Sequence, residues 1–119
     1  MRLVLVCVLA LLAQPAAAGN LRGKLLFLRC ASCHDISTTA SAKIGPNLKG
    51  VVGRPSGSLA GYHYSPAMMQ AHLVWNEPTL DRWLTQPNAV VPGTAMGFAG
   101  LPSAPDRAAI IAYLRNPAP

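Results

Sequence analysis

The sequence predicts an all-α domain, about four short helices joined by long loops and wrapped around one covalently attached group. Three observations carry that prediction. Apolar residues recur at helical spacing near both ends of the chain, at Leu21, Leu25 and Leu28 and again at Ala109, Ile110, Tyr113 and Leu114. Nowhere does the chain show strand–helix alternation. The run Cys30-Ala31-Ser32-Cys33-His34 places two thiols three residues apart with an imidazole next to the second, the C-x-x-C-H arrangement of haem attachment.

The chain of 119 residues allows one domain. Its start reads as a secretory signal, residues 1–18: Arg2, the apolar run Leu3–Ala13, then Gln14-Pro15-Ala16-Ala17-Ala18 with an A-x-A cleavage site. Eleven apolar residues fall short of the ~20 that span a bilayer, so no membrane span is expected in a mature chain of residues 19–119. Cys7 leaves with the signal, and the two remaining cysteines both belong to the Cys30–His34 run. The mature chain is therefore expected to be exported.

The full chain carries a net charge of +6, and +5 without Arg2. Its cations are scattered rather than set in runs with interleaved aromatics, which argues against nucleic acid. Steering toward an acidic or mixed patch on a protein partner, or toward an anionic membrane surface, suits this balance better.

Leu21 to Cys33 reads as the first helix, and it offers two faces. Leu21, Leu25 and Leu28 lie on one; Gly23, Phe27 and Cys30 lie on the other, where Gly23 would admit a close-packed backbone and Phe27 would pack beneath the bound group. On such a helix Cys30 and Cys33 share a face, so both sulfurs can reach one edge of a porphyrin. His34 follows closely enough to ligate the iron. Zinc would need a fourth ligand, with only His63 and His72 to offer one, and a dithiol redox motif would need a βαβ setting.

Asp35 to Tyr64 is rich in Gly, Ser, Thr and Pro and reads as a long ordered loop with a turn at Gly45-Pro46-Asn47-Leu48. So long a connection needs something besides secondary structure to hold it, and draping over a haem is such a reason. Ser65-Pro66 starts a short helix through Met68, Met69 and Ala71. Asn76 caps another, Glu77 to Gln86, with Leu80, Trp83 and Leu84 inward and Pro87 as its stop. After a loop from Asn88 to Pro102, Ser103-Ala104-Pro105-Asp106 opens the last helix, which stops near Arg115-Asn116-Pro117.

In the second loop, Pro92-Gly93-Thr94-Ala95-Met96-Gly97-Phe98, Met96 lies 62 residues after His34 and offers a thioether to the other side of the iron. A loop methionine alone is more often packing than ligand. Its setting decides the matter. Cys30-x-x-Cys33-His34, Gly45-Pro46-Asn47-Leu48, Gly53-Arg54, Tyr62-x-Tyr64, Trp75, Pro92-Gly-Thr-x-Met96-x-Phe98-x-Gly100 and Ile111-Ala112-Tyr113-Leu114 stand in one order and spacing. With this set the chain resembles class I cytochrome c, particularly the bacterial cytochrome c2-like branch, over nearly all of Gly23 to Leu114.

The resemblance implies the cytochrome c fold and one haem c held through Cys30 and Cys33, with His34 as proximal and Met96 as distal ligand. It implies that the Pro46 carbonyl accepts the other ring N–H of His34, and that Arg54, Tyr64 and Trp75 surround the haem propionates. Trp83, Thr94 and Phe98 would also face the haem, and Gly23 and Tyr113 would mark the crossing of the first and last helices. Two matched positions depart from the pattern: Trp83 stands where the family commonly has Tyr, and Met68 where it has Asn. Both changes remove small polar groups near the distal ligand, so a drier pocket is expected.

The function implied is a monomeric carrier of single electrons between donor and acceptor redox proteins, with no catalytic residue. Two alternatives stay open: a ligand-binding or peroxidase-like haem protein with a labile Met96, and an electron-transfer subunit docked in a periplasmic dehydrogenase or oxidase.

Overall fold

The computed structural model describes residues 16–37 and 43–117. Five helices appear in the order α1 (Ala16–Phe27), α2 (Pro66–Met69), α3 (Glu77–Thr85), α4 (Pro87–Val90) and α5 (Ala104–Arg115). Among the described residues there is no strand, only an isolated antiparallel bridge between Pro55 and Val74. The all-α expectation holds, with one helix more than expected.

Three helix starts follow their predicted caps. Ser65 Oγ accepts the Met68 N–H at 3.2 Å, Asn76 Oδ1 the Thr79 N–H at 3.0 Å and Ser103 Oγ the Asp106 N–H at 3.3 Å. Each satisfies an amide that the first helical turn leaves free. Pro87, expected only to stop α3, also opens α4, because a fixed φ and a missing N–H suit a first helical position equally well.

The expected Leu21–Cys33 helix requires one correction, at its end. Regular α1 ends at Phe27, and residues 28–33 continue as tight turns: the Cys30 N–H donates to Phe27 O at 2.8 Å and the Cys33 N–H to Cys30 O at 3.1 Å. In such i→i+3 turns residues three apart eclipse, so Cys30 and Cys33 still share a side. Of its two faces, the one with Gly23 and Phe27 packs inward, as expected. Leu21, Leu25 and Leu28 are 59%, 59% and 67% exposed, whereas Phe27 is 6% exposed.

Gly23 decides the orientation. A Cβ there would collide with the Ala109 carbonyl oxygen and stand 2.7 Å from Tyr113 Cβ, so only glycine lets α1 cross α5 this closely. Phe27 then rests on Tyr113 with ring centroids 5.5 Å apart. The first and last helices thus meet as the sequence predicted. Residues 1–15 of the expected signal lie outside the described residues, and α1 begins upstream of the expected Ala18 boundary.

The core joins Phe27, Val51, Trp75, Leu80, Trp83, Leu84, Val91, Leu101, Ile110, Ile111, Tyr113 and Leu114. Arg107 is a buried cation that the charge reading left on the surface. Its guanidinium donates to Asp81 Oδ1 at 2.7 Å and to the Leu101 and Pro102 carbonyls at 2.9 Å each, binding α3, the preceding loop and α5 together. No helix among the described residues is long and apolar enough to cross a membrane.

Candidate functional site

The site is built from four kinds of segment: the turns after α1, the long loop before α2, helices α3 and α5, and the loop before α5. All eleven residues expected to face the haem (Cys30, Cys33, His34, Pro46, Arg54, Tyr64, Trp75, Trp83, Thr94, Met96 and Phe98) line one cavity of about 360 Å³. Phe27, Leu48, Val51, Leu80, Leu84, Ile110 and Leu114 supply apolar wall between them.

His34 is held in place before any ligand is considered. Its backbone N–H donates to Cys30 O at 2.8 Å, and its ring Nδ1 lies 2.8 Å from Pro46 O. A carbonyl can only accept, so Nδ1 carries the proton and Nε2 keeps its lone pair for another partner. Burial lowers the His34 pKa, opposed by the hydrogen bond to Pro46 and aided by Lys43, so the ring is neutral at pH 7. Burial also raises the pKa of the Cys30 thiol.

Gly45 is a residue of this site that sequence reading left as part of a turn. A Cβ on it would stand 2.6 Å from His34 Nδ1, so glycine is what allows the loop to lie against the imidazole. The same loop is pinned by the Gly45 N–H to Cys33 O at 2.7 Å and the Leu48 N–H to Asp35 O at 2.8 Å. No pattern in the sequence alone distinguishes this glycine from one needed only for the turn.

Arg54, Tyr64 and Trp75 share the wall with distinct partners. The Arg54 guanidinium donates to Asn47 O at 3.0 Å and Lys49 O at 3.3 Å, and the Tyr64 hydroxyl accepts the Leu59 N–H at 3.1 Å. Trp75 meets Trp83 edge to face with centroids 5.1 Å apart. Backbone bonds join the two segments: the Trp75 N–H donates to Arg54 O at 3.0 Å and the Gly53 N–H to Trp75 O at 2.9 Å. The long loop is therefore held by specific pairings as well as by what it encloses.

Met96 is set by its own loop. Thr94 Oγ1 accepts the Met96 N–H at 3.3 Å, the Thr94 N–H donates to Val91 O at 3.0 Å, and Gly93 turns the chain at φ +83°. Met68 also lines the cavity, whereas His63, Met69 and His72 do not.

The donor set fits a covalently held haem. Two thiols, a neutral oriented imidazole and a thioether converge on one apolar cavity, while no cluster of His, Cys, Asp or Glu able to hold a bare metal ion occurs among the described residues.

A family model described as "Cytochrome c" matches residues 21–117. The chain is 46% identical to a protein named cytochrome c2 from Rhodomicrobium vannielii over 103 residues, 86% of this chain and 82% of the relative. It is 45% identical to cytochrome c2 of Rhodoblastus acidophilus over 92 residues, 77% of this chain and 86% of that protein. Cytochrome c of the plant Gossypium barbadense is 43% identical over 105 residues, 87% of this chain and 95% of the plant protein.

Proposed function

The chain belongs to the cytochrome c family and is a single-haem electron carrier that binds haem c through Cys30 and Cys33; from that premise we propose that it is exported, that His34 and Met96 ligate the iron, and that it passes single electrons between two redox proteins. The observation that carries this reading is the convergence of an imidazole with its Nδ1–H tied to Pro46 and a loop thioether on one apolar cavity. Haem, when bound, supplies an iron that alternates between ferric and ferrous states without forming a bond to a substrate.

The protein's part is orientation and exclusion. Burial keeps His34 neutral and Pro46 fixes it in one tautomer, so its Nε2 lone pair is ready. Met96 offers a soft neutral donor, which favours the ferrous state and raises the reduction potential. Phe27, Trp75, Trp83 and Leu80, all buried on the cavity wall, keep water out and hold the surroundings nearly unchanged when the charge changes. Arg54, Tyr64 and Trp75 are the groups proposed to receive the propionates, with a guanidinium to balance their charge.

Export rests on residues 1–18, with the mature chain running from Gly19 and the periplasm as its compartment. The donor and acceptor are redox proteins with acidic or mixed docking patches, met by a monomer. Redox titration of the purified holoprotein, with mass analysis of its N-terminus, tests the reading. A reversible one-electron wave at high potential and a chain starting at Gly19 are expected; a low potential or an uncleaved chain would overturn the corresponding part.

A further inference from the structure

We propose that Met68 is a reserve axial thioether, able to take the distal place at the iron when Met96 leaves it. The inference rests on the reading of Met96 as the resting ligand. Beyond Cys30, Cys33 and His34, the cavity wall offers sulfur or imidazole, among the described residues, from only two, Met96 and Met68. Neighbouring candidates point elsewhere. Met69 is 55% exposed, and its Sδ would stand 3.3 Å from a Cβ at Gly57. His63 and His72 are exposed and lie outside the wall.

Met68 also sits on backbone that can shift at small cost. It belongs to α2, a single turn with no buried residue, held by the Ser65 cap, by the Met69 and Gln70 N–H groups that donate to Ser65 O and Pro66 O, and by the Ala71 N–H that donates to Met68 O. Its half-buried side chain packs on the edge of the core, and methionine has three rotatable bonds with which to reach. Exchange between two thioethers brings no charge into the apolar cavity and releases no proton. A lysine, a hydroxide or a histidine in place of Met96 would change the donor type and lower the potential; a second methionine preserves both.

The test uses three covalently loaded holoproteins, Met96→Ala, Met68→Leu and the double variant, with haem content checked in each. The readout is the ferric absorption band of thioether–iron ligation, recorded before and after adding cyanide. The proposal predicts that both single variants keep the band and that only the double variant loses it. Should Met96→Ala lose the band while Met68→Leu keeps it, Met96 is the resting ligand and has no reserve, which overturns the proposal alone. Loss in Met68→Leu with retention in Met96→Ala makes Met68 the resting ligand and overturns the reading of Met96 as well. A band in the double variant overturns both. If Met96→Ala fails to load haem, Met96→Leu, which keeps the side-chain volume, replaces it under the same criteria.

Discussion

Single residues carry the chemistry of this protein, and most of them act through one contact. His34 is useful because Pro46 O holds its Nδ1–H at 2.8 Å and because Gly45 has no side chain to push the ring away. Gly45→Ala forces a Cβ against the imidazole, so thermal unfolding of the holoprotein should fall by about 1–3 kcal/mol, and the His34–Pro46 bond should lengthen. An unchanged melting curve would remove Gly45 from the site. Trp83 makes the complementary point about polarity. It is buried against Trp75 on the cavity wall, and Trp83→Tyr would bring a hydroxyl into a space with few partners. A destabilisation of about 1–3 kcal/mol is expected, together with a shifted midpoint potential and a changed affinity for cyanide, which reports the proposed Fe–Met96 bond. If potential and cyanide affinity both stay as they are, the drier pocket has no bearing on the iron. These residues were legible in the sequence because motif order identifies them; Gly45 was not, since a turn and a close approach ask for the same residue.

At the scale of elements, the crossing of α1 and α5 organises the rest, and it turns on which face of α1 is buried. Two sets of residues occur at helical spacing, the three leucines and Gly23-Phe27-Cys30. Hydrophobicity alone favours the leucines, yet close approach at Gly23 sends Phe27 inward and leaves Leu21, Leu25 and Leu28 exposed. Packing between elements, not periodicity within one, makes that choice. Phe27→Ala should therefore cost about 3–5 kcal/mol in denaturant unfolding, while Leu25→Ser should stay within about 0.5 kcal/mol; the reverse order would restore the leucine face to the core. Caps were legible because Ser65, Asn76 and Ser103 act over three residues. The α4 turn and the Arg107 clamp were not, because Pro87 reads equally as a stop or a start, and a cation's burial depends on Asp81 twenty-six positions away.

The whole molecule combines an apolar interior with a basic but dispersed exterior. Each of its four acids is paired: Asp35 with Lys43, Glu77 with Arg115, Asp81 with Arg107 and Asp106 with Arg22. The net positive field then comes from cations scattered over the chain, and the loop from Pro92 to Phe98 carries no charge. Association with a redox partner should consequently slow by less than about tenfold between low and physiological ionic strength, measured by stopped-flow electron transfer. A steep loss would mean that a concentrated charge patch governs docking. The central claim is that the cavity closes the iron to small ligands while leaving it open to electrons. Cyanide titration of the ferric holoprotein tests that claim most directly: the account predicts that the thioether band persists and cyanide binds slowly and weakly, whereas rapid, tight binding with no thioether band at the outset would contradict it.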